Sequence, residues 1–351
     1  MISFKIMYQK FWGKHKKPIV GLAPMDGITD EPFRFIIKKY GNPDVIFTEF
    51  SNVEGIVRGS MGLLEPYIYN EGERPIVAQM FGKIPQDFYT VSLILCALGF
   101  DGIDVNMGCP AKSVASHGAG ASLIETPKLA QEIIRSCKKA VYDWVNGREI
   151  TSLPIPENVL NRVFSMQKNH PIPKRAAIPV SVKTRLGLDK HIVGIWIPQL
   201  LEAEPALISL HGRTLVEMFN GKARWDLIEK AANIVHKTRT LILGNGDIEL
   251  RGEGEEKAIK YGVDGVLIGR ASIGNPWIFE RKKRSISKEE RLKIALEHVR
   301  YFTKVKGKGR TCEMKKHLCW YSRGFEGAKD LRIRLMSASC FSEIESILLE
   351  F

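Results

Sequence analysis

Asp104-Val105-Asn106-Met107-Gly108-Cys109-Pro110 closes an apolar run that begins at Gly102, and hydrophobic gives way to polar within a few residues. That is the pattern of a buried strand breaking into a loop, here one that carries a thiol, and reactive groups on rigid scaffolds often sit in such places. Taken alone, Cys109 reads as a buried thiol that happens to precede a turn. Seven more short, β-branched runs surround it: Ile19–Met25, Val45–Glu49, Pro75–Phe81, Pro179–Thr184, Ala206–His211, Leu241–Gly244 and Gly265–Gly269. Between them lie helical patterns at Glu31–Tyr40, Gln86–Leu98, Pro127–Tyr142, Ile192–Glu202, Trp225–Lys237 and Glu253–Tyr261. Thr126-Pro127 supplies a capping hydroxyl followed by proline at a helix start. Strands alternating with helices predict parallel pairing, and eight such repeats predict an α/β fold, the (β/α)8 TIM barrel. An open doubly wound sheet would want a glycine-rich turn after its first strand, where this chain has Ala23-Pro24-Met25-Asp26-Gly27.

The interval from Cys109 to Lys183 is too long for one barrel unit of about 31 residues. Its excess, about 143–176, carries Pro154, Pro156, Pro171 and Pro173. It falls after a helix and before a strand, on the face away from the strand C-termini. It is expected to be a surface insertion, partly disordered or packed against another body. After Ile278 the pattern turns purely helical. Ser287-Lys288-Glu289-Glu290 reads as a capping box before an apolar face of Leu292, Leu296, Val299 and Phe302, and Ser342-Glu343-Ile344-Glu345 repeats the cap. The expected organisation is a catalytic barrel over 1–280 and a small all-α bundle of three or four helices over 285–351.

At 44% hydrophobic and 26% charged residues, the 351-residue chain has the composition of a soluble globular protein. No apolar core follows the basic N-terminus, and the longest apolar stretch, Val91 to Phe100, is too short for a bilayer, so neither a secretory signal nor membrane association is expected. Six scattered cysteines fit free thiols in a reducing cytoplasm. Cys312, His317 and Cys319 match no standard zinc spacing and lack a fourth ligand, so no metal is expected. The net charge of +13 is uneven: residues 1–280 carry +4 and the remainder +9. A basic appendage on a near-neutral body points to a polyanionic partner or to a lysine-solvated helical face.

In a barrel the strand C-termini share one mouth, where chemistry collects. There the sequence places Pro24, Met25 and Asp26; Gln79; Asn106 with Cys109; Lys183 with Arg185; His211 with Arg213; Asn245, Gly246 and Asp247; and Gly269 with Arg270. Singly, His211 reads as a hydrogen-bonded core histidine, and glycine-rich turns are common. Jointly they mean more, since Gly244-Asn245-Gly246 and Gly269-Arg270 follow the seventh and eighth strands, where barrels often bind phosphate on backbone N–H groups. No paired carboxylates and no metal triad stand out. A thiol, a lysine, a histidine and a phosphate cradle suit a flavin: the lysine can balance the anionic pyrimidine end of the reduced ring, and the thiol can protonate substrate from its other face.

The ordered motifs resemble one family. Ala23-Pro24-Met25-Asp26-Gly27-Ile28-Thr29-Asp30 with Phe33-Arg34 is similar to the opening signature of the tRNA-dihydrouridine synthases. Asn106-Met107-Gly108-Cys109-Pro110 with Gly118-Ala119-Gly120-Ala121 is similar to their catalytic loop. Val182-Lys183-Thr184-Arg185, Leu210-His211-Gly212-Arg213-Thr214, Asn245-Gly246-Asp247-Ile248 and Ile268-Gly269-Arg270 follow in order, as does Lys316-His317-Leu318 with Trp320-Tyr321, Gly324 and Gly327. The likeness is greatest to the bacterial B-type branch and excludes only the 143–176 insertion. Leu215 departs from it, standing where many members have arginine.

The resemblance implies a monomeric FMN enzyme that draws electrons from NADPH, with NADH an alternative donor, and reduces D-loop uridines of tRNA to 5,6-dihydrouridine. It implies hydride transfer from FMN N5 to uracil C6 and a proton from Cys109 to C5. It implies FMN contacts from Pro24, Met25, Asp26, Gln79, Lys183, His211, Asn245, Gly246, Asp247, Gly269 and Arg270. Asn106, Lys183, Arg185 and Arg213 are the expected substrate contacts, and the basic helices would hold tRNA by shape and backbone. Two other readings compete: a flavin-dependent dehydrogenase of a free pyrimidine such as dihydroorotate or dihydrouracil, and a non-catalytic RNA-binding barrel. The first has no use for a basic helical module; the second has none for an intact flavin cradle.

Overall fold

A computed structural model describes residues 11–110, 118–171, 175–282 and 284–351. Eight parallel strands close into a barrel in chain order. Strand β1 (Ile19–Leu22) leads to α1 (Glu31–Tyr40), β2 (Val45–Asn52) to the short α2 (Val53–Val57), and β3 (Ile76–Phe81) to α3 (Pro85–Ala97). Then come β4 (Gly102–Met107), α4 (Pro127–Val145), α5 (Glu157–Gln167), β5 (Val180–Arg185), α6 (Val193–Leu201), β6 (Leu207–His211), α7 (Trp225–Val235), β7 (Leu241–Asn245), α8 (Arg251–Lys260) and β8 (Gly265–Ile268). Each expected strand is present to within three residues at its ends.

The two-residue period of the strands decides what faces the mouth. In β4, Ile103, Val105 and Met107 join the large core beneath the helices, so Asp104 and Asn106 point inward. Val180 and Val182 of β5, Ile208 and Leu210 of β6, and Ile242 of β7 do the same. Inward-facing Lys183, His211 and Asn245 therefore end neighbouring strands, with Asn106 beside Lys183, Arg185 beside His211, and His211 beside Asn245. Deeper inside, Ile19, Val45, Phe47, Val77, Leu207, Leu243 and Leu267 fill the barrel below the mouth, with Trp12 among them.

The stretch at 143–176 differs from its expectation. It contains a full helix, α5, and Val159, Val163 and Met166 bury into the barrel's own core. Side-chain amides fasten it: Asn158 to the Gly59 carbonyl and Gln167 to that of Ala97. The prolines flank this helix and do not interrupt it. Two caps also differ. Thr126 makes no side-chain cap bond to α4, and the last helix begins two residues before Glu343, with Ser342 inside it and Glu343 accepting from the Ser339 N–H. Ser287 does cap its helix, accepting from the Glu290 N–H, while the Glu290 carboxylate turns to Arg284.

Four helices follow the barrel: α9 (Lys288–Lys306), α10 (Thr311–Tyr321), α11 (Ala328–Ser337) and α12 (Phe341–Glu350). They share a core of their own, which also takes in Ile36 and Trp277 from the barrel side. Around that seam Tyr301 donates to Glu31, Tyr40 to Glu297, and Lys306 and Arg310 both reach Glu65. Helix α10 puts His317 into the core and leaves Cys312 exposed, so the two do not converge.

Candidate active site

The strand ends open into a cavity of about 800 Å³, within the size range of small-molecule and cofactor sites. Of the expected residues, Pro24, Met25 and Asp26 form its β1 wall, Asn106 and Cys109 its β4 wall, and Lys183, Arg185 and His211 the next two. Asn245, Gly246 and Asp247 with Gly269 and Arg270 close the ring. Gln79 and Arg213 are not brought to the cavity wall.

Gln79 stands directly behind Asn106. Its amide oxygen accepts from Asn106 Nδ2 at 2.9 Å, and its Nε2 donates to Asp104 at 2.6 Å. Asp104, which also accepts from Ser181 at 2.7 Å, is pushed up to about 6 by burial, against the pull of Gln79, Ser181 and Lys183. With both its donor and its acceptor committed, Gln79 allows Asn106 one orientation. Asn106 Oδ1 then accepts the N–H groups of Gly108 at 3.0 Å and Cys109 at 2.8 Å. The loop bearing the thiol is thus fixed from the barrel interior outward. The Cys109 side chain is 8% exposed, in a small apolar patch with Ala119, Phe50 and Phe81.

The Lys183 ammonium makes no hydrogen bond among the described residues. Burial, then the Arg185 charge, pushes its pKa down to about 8, opposed by Asp104 and Cys109. Near neutral pH it remains an ammonium with free donors at the cavity wall. His211 is held well below 6.5, first by burial and then by Lys183, Arg185, Arg213 and Arg270. Its ring is neutral in the working range, and Nε2, 3.4 Å from an Arg213 nitrogen that can only donate, is the accepting side.

The two arginines build the wall. Arg213, 2% exposed, donates to the Asn220 and Gly221 carbonyls and grips Asp247 through both carboxylate oxygens at 2.9 and 2.7 Å. This leaves little of its guanidinium for a substrate. Burial alone would raise Asp247; the Ala223 N–H, Arg213 and Arg270 hold it low instead. Arg185 donates to the Gly108 carbonyl at 2.7 Å and to those of Thr214 and Met218, tying the cysteine loop to the loop after β6. In that second loop Met218 sits at φ 49, a left-handed geometry that costs a non-glycine residue about 1–3 kcal/mol. Met218 and Phe219 line the cavity yet stand half exposed, Phe219 beneath Arg270. Sequence reading missed this pair, because a Met-Phe between Glu and Asn has no periodicity to mark it.

The β7–β8 side of the cavity suits an anion. Among the described residues the N–H groups of Gly246, Asp247, Arg270 and Ala271 donate to nothing, and exposed Arg270 is tethered only to Asp247 at 3.3 Å. Gly246 has φ 129, and a β-carbon there would stand 2.7 Å from Ala223, so the turn admits only glycine. Gly244 is a glycine for a different reason, close approach of the Trp225 ring. A phosphate cradle on the β7–β8 side and a free ammonium with a fixed Asn-Cys loop on the β4–β5 side fit FMN in size and in donor set.

The dihydrouridine synthase (Dus) family model matches residues 21–147 and 153–349. The chain belongs to that family. It is similar to a probable tRNA-dihydrouridine synthase of Staphylococcus aureus, 35% identical over 98% of this chain and 96% of that one. It is also similar to probable tRNA-dihydrouridine synthase 2 of Bacillus subtilis, 33% identical over 98% and 97%. Among solved structures, a DHODH from Eimeria tenella in complex with ferulenol aligns at a TM-score of 0.49 and 12% identity over 77% of this chain and 85% of that one. The family match runs through α5, so that helix is not foreign to the family pattern; only residues 148–152 fall between the matched segments.

Proposed function

We propose that the protein reduces uridines in the D-loop of tRNA to 5,6-dihydrouridine, using FMN and, as electron donor, NADPH. The observation that carries this reading is the meeting within one cavity of an anchored thiol, Cys109, a free lysine and a set of unbonded N–H groups. Gly246, Asp247, Gly269 and Arg270 would take the FMN phosphate, and Lys183 and His211 its reactive end. Bound there, FMN supplies the hydride that the protein's own side chains cannot.

The remaining work falls to residues of the chain. Asn106, already oriented by Gln79, keeps one Nδ2 hydrogen with which to meet a carbonyl oxygen of uracil. Arg185 adds a cation that burial has lowered to about 10, a charge that persists across the working range. Cys109 holds the proton destined for C5, and Phe50, Phe81 and Ala119 keep water from its thiol. Extruding the target base costs a few kcal/mol, which phosphate contacts must offset. Residues 285–351 are the part suited to supply them, working beside the barrel of 1–280 in a monomer in the cytoplasm, where tRNA is found. A dehydrogenase of free pyrimidines would leave that basic module without a task.

Cys109→Ala tests the assignment. The variant should retain FMN and oxidise NADPH while forming no dihydrouridine in tRNA. Full tRNA activity would remove Cys109 from the role of acid, and turnover of free uracil in place of tRNA would favour the dehydrogenase reading.

A further inference from the structure

Helix α10 lies along the barrel rim beside the ends of β1 and β8, which are neighbours in the closed sheet. At one end Lys316 Nζ lies 3.7 Å from where a β-carbon on Gly27 would stand, next to cavity-lining Asp26. One turn on, Trp320 abuts Gly274, whose β-carbon would fall 2.6 Å from the Trp320 backbone, next to cavity-lining Ile273. Residues four apart share a helix face, so Lys316 and Trp320 both look along the rim, whereas His317 turns into the core against Phe33. Arg323 follows just past the helix end. Beyond Ile273 the mouth continues into a second cavity of about 710 Å³, walled by Trp320, Arg323 and Arg281.

The charges on this path are not hydrogen-bonded, although Lys316 lies close enough to Asp26 to draw that carboxyl down against the effect of burial. Among the described residues, no hydrogen bond or ion pair engages the side chains of Lys316, Arg323 or Arg281. Neighbouring bases are spent: Lys306 and Arg310 on Glu65, Arg284 on Glu280 and Glu290, Arg291 on the Gly274 carbonyl. Two of the groove's carboxylates are neutralised too, Glu280 by Arg284 and Glu253 by Lys257. What remains is one unpaired carboxylate, Glu256, against a cation, a half-buried indole and two further cations that run away from the mouth.

We infer that this stripe is a track for the single strand of RNA that adjoins the target uridine, with Trp320 stacking on a base and Lys316, Arg323 and Arg281 meeting phosphates. The inference rests on the proposed tRNA substrate. Single-stranded RNA is gripped in this way, by aromatic platforms for bases set between cations for the backbone. A track that leaves the mouth along α10 also sets the angle at which the strand enters, and with it which nucleotide reaches the cavity.

The test uses the full-length FMN-loaded protein carrying Lys316→Gln, Arg323→Gln, Trp320→Phe or Trp320→Leu, with equilibrium tRNA binding and turnover read across a salt series. Each glutamine variant should bind tRNA more weakly and flatten the salt slope by about 0.7 per lost phosphate contact. Trp320→Leu should lose roughly tenfold to a hundredfold in tRNA affinity, with Trp320→Phe restoring most of it. FMN content and NADPH oxidation should stay at wild-type values. Unchanged tRNA binding and slope in both glutamine variants would overturn the track. So would a raised KM for NADPH with tRNA binding intact, which would give the groove to the nucleotide donor. Should Trp320→Leu fail to fold, the two surface glutamine variants still decide. If the wild type binds tRNA but forms no dihydrouridine, the functional reading fails while the binding measurements still judge the track.

Discussion

Cys109, Lys183 and Arg213 show how far single residues could be read. The strand-end position of each is plain in the sequence, and the structure brings Cys109 and Lys183 to one cavity. Arg213 stands beside His211 in the chain and looks equally available, yet its donors are consumed by two carbonyls and Asp247. Nothing in the spelling of a motif records which hydrogen bonds its residues have already made. Arg213→Ala should therefore act through structure, leaving Asp247 half-paired and the loop after β6 unclamped. A loss of about 1–3 kcal/mol is expected by denaturant titration, the cost of leaving the acceptors of a buried donor unsatisfied; unchanged stability would show that Arg213 is free for ligand. Lys183 offers a pH test. Its pKa lies near 8, so its charge is full below that value and lost as pH rises through it. Turnover on tRNA should decline above about pH 8, and Lys183→Arg should shift the decline upward. A flat profile to pH 9 would show that this charge is not used.

At the scale of elements, alternation and turn residues were enough to predict all eight strands, since each strand is a short β-branched run with a polar end. The same rule hid α5. Its Val159, Val163 and Met166 follow helical spacing, but four prolines around them suggested an irregular loop. The seam between α1 and the helical module was not legible either, because its chemistry lies between distant segments. There His298 and His317 are buried beside Phe33, and neither nitrogen of His317 has a hydrogen-bond partner among the described residues. Burial lowers His317 to about 3. The unfolded chain thus binds its proton from pH 6.5 downward while the folded chain does not. Stability is retained above that pH and lost below it, by about 2 kcal/mol per such histidine between pH 6.5 and 5. Glu49 and Glu73, each raised to about 7 by burial, tilt the curve the other way, so the difference from a variant isolates the effect. His317→Leu should flatten the acid limb of thermal stability; a limb that stays as steep would place the acid sensitivity elsewhere.

Across the whole molecule, a charge of +9 beyond residue 280 against +4 before it sets the division of labour proposed here, with chemistry in the barrel and grip in the helices. That asymmetry was visible as a count, whereas its geometry was not. Many of the cations nearest the seam are neutralised by partners, while Lys316, Arg323 and Arg281, without a hydrogen bond or ion pair among the described residues, lie on α10 or beside the groove. Binding of tRNA should weaken steeply between low and physiological salt, measured by filter retention, and a salt-insensitive affinity would count against backbone recognition. The central claim is tested most directly by giving the purified, FMN-loaded protein NADPH and unmodified tRNA and mapping the product by mass spectrometry. Two hydrogens should be gained at a D-loop uridine by the wild type and not by Cys109→Ala. tRNA left unchanged by a wild-type protein that holds FMN and oxidises NADPH would contradict the account.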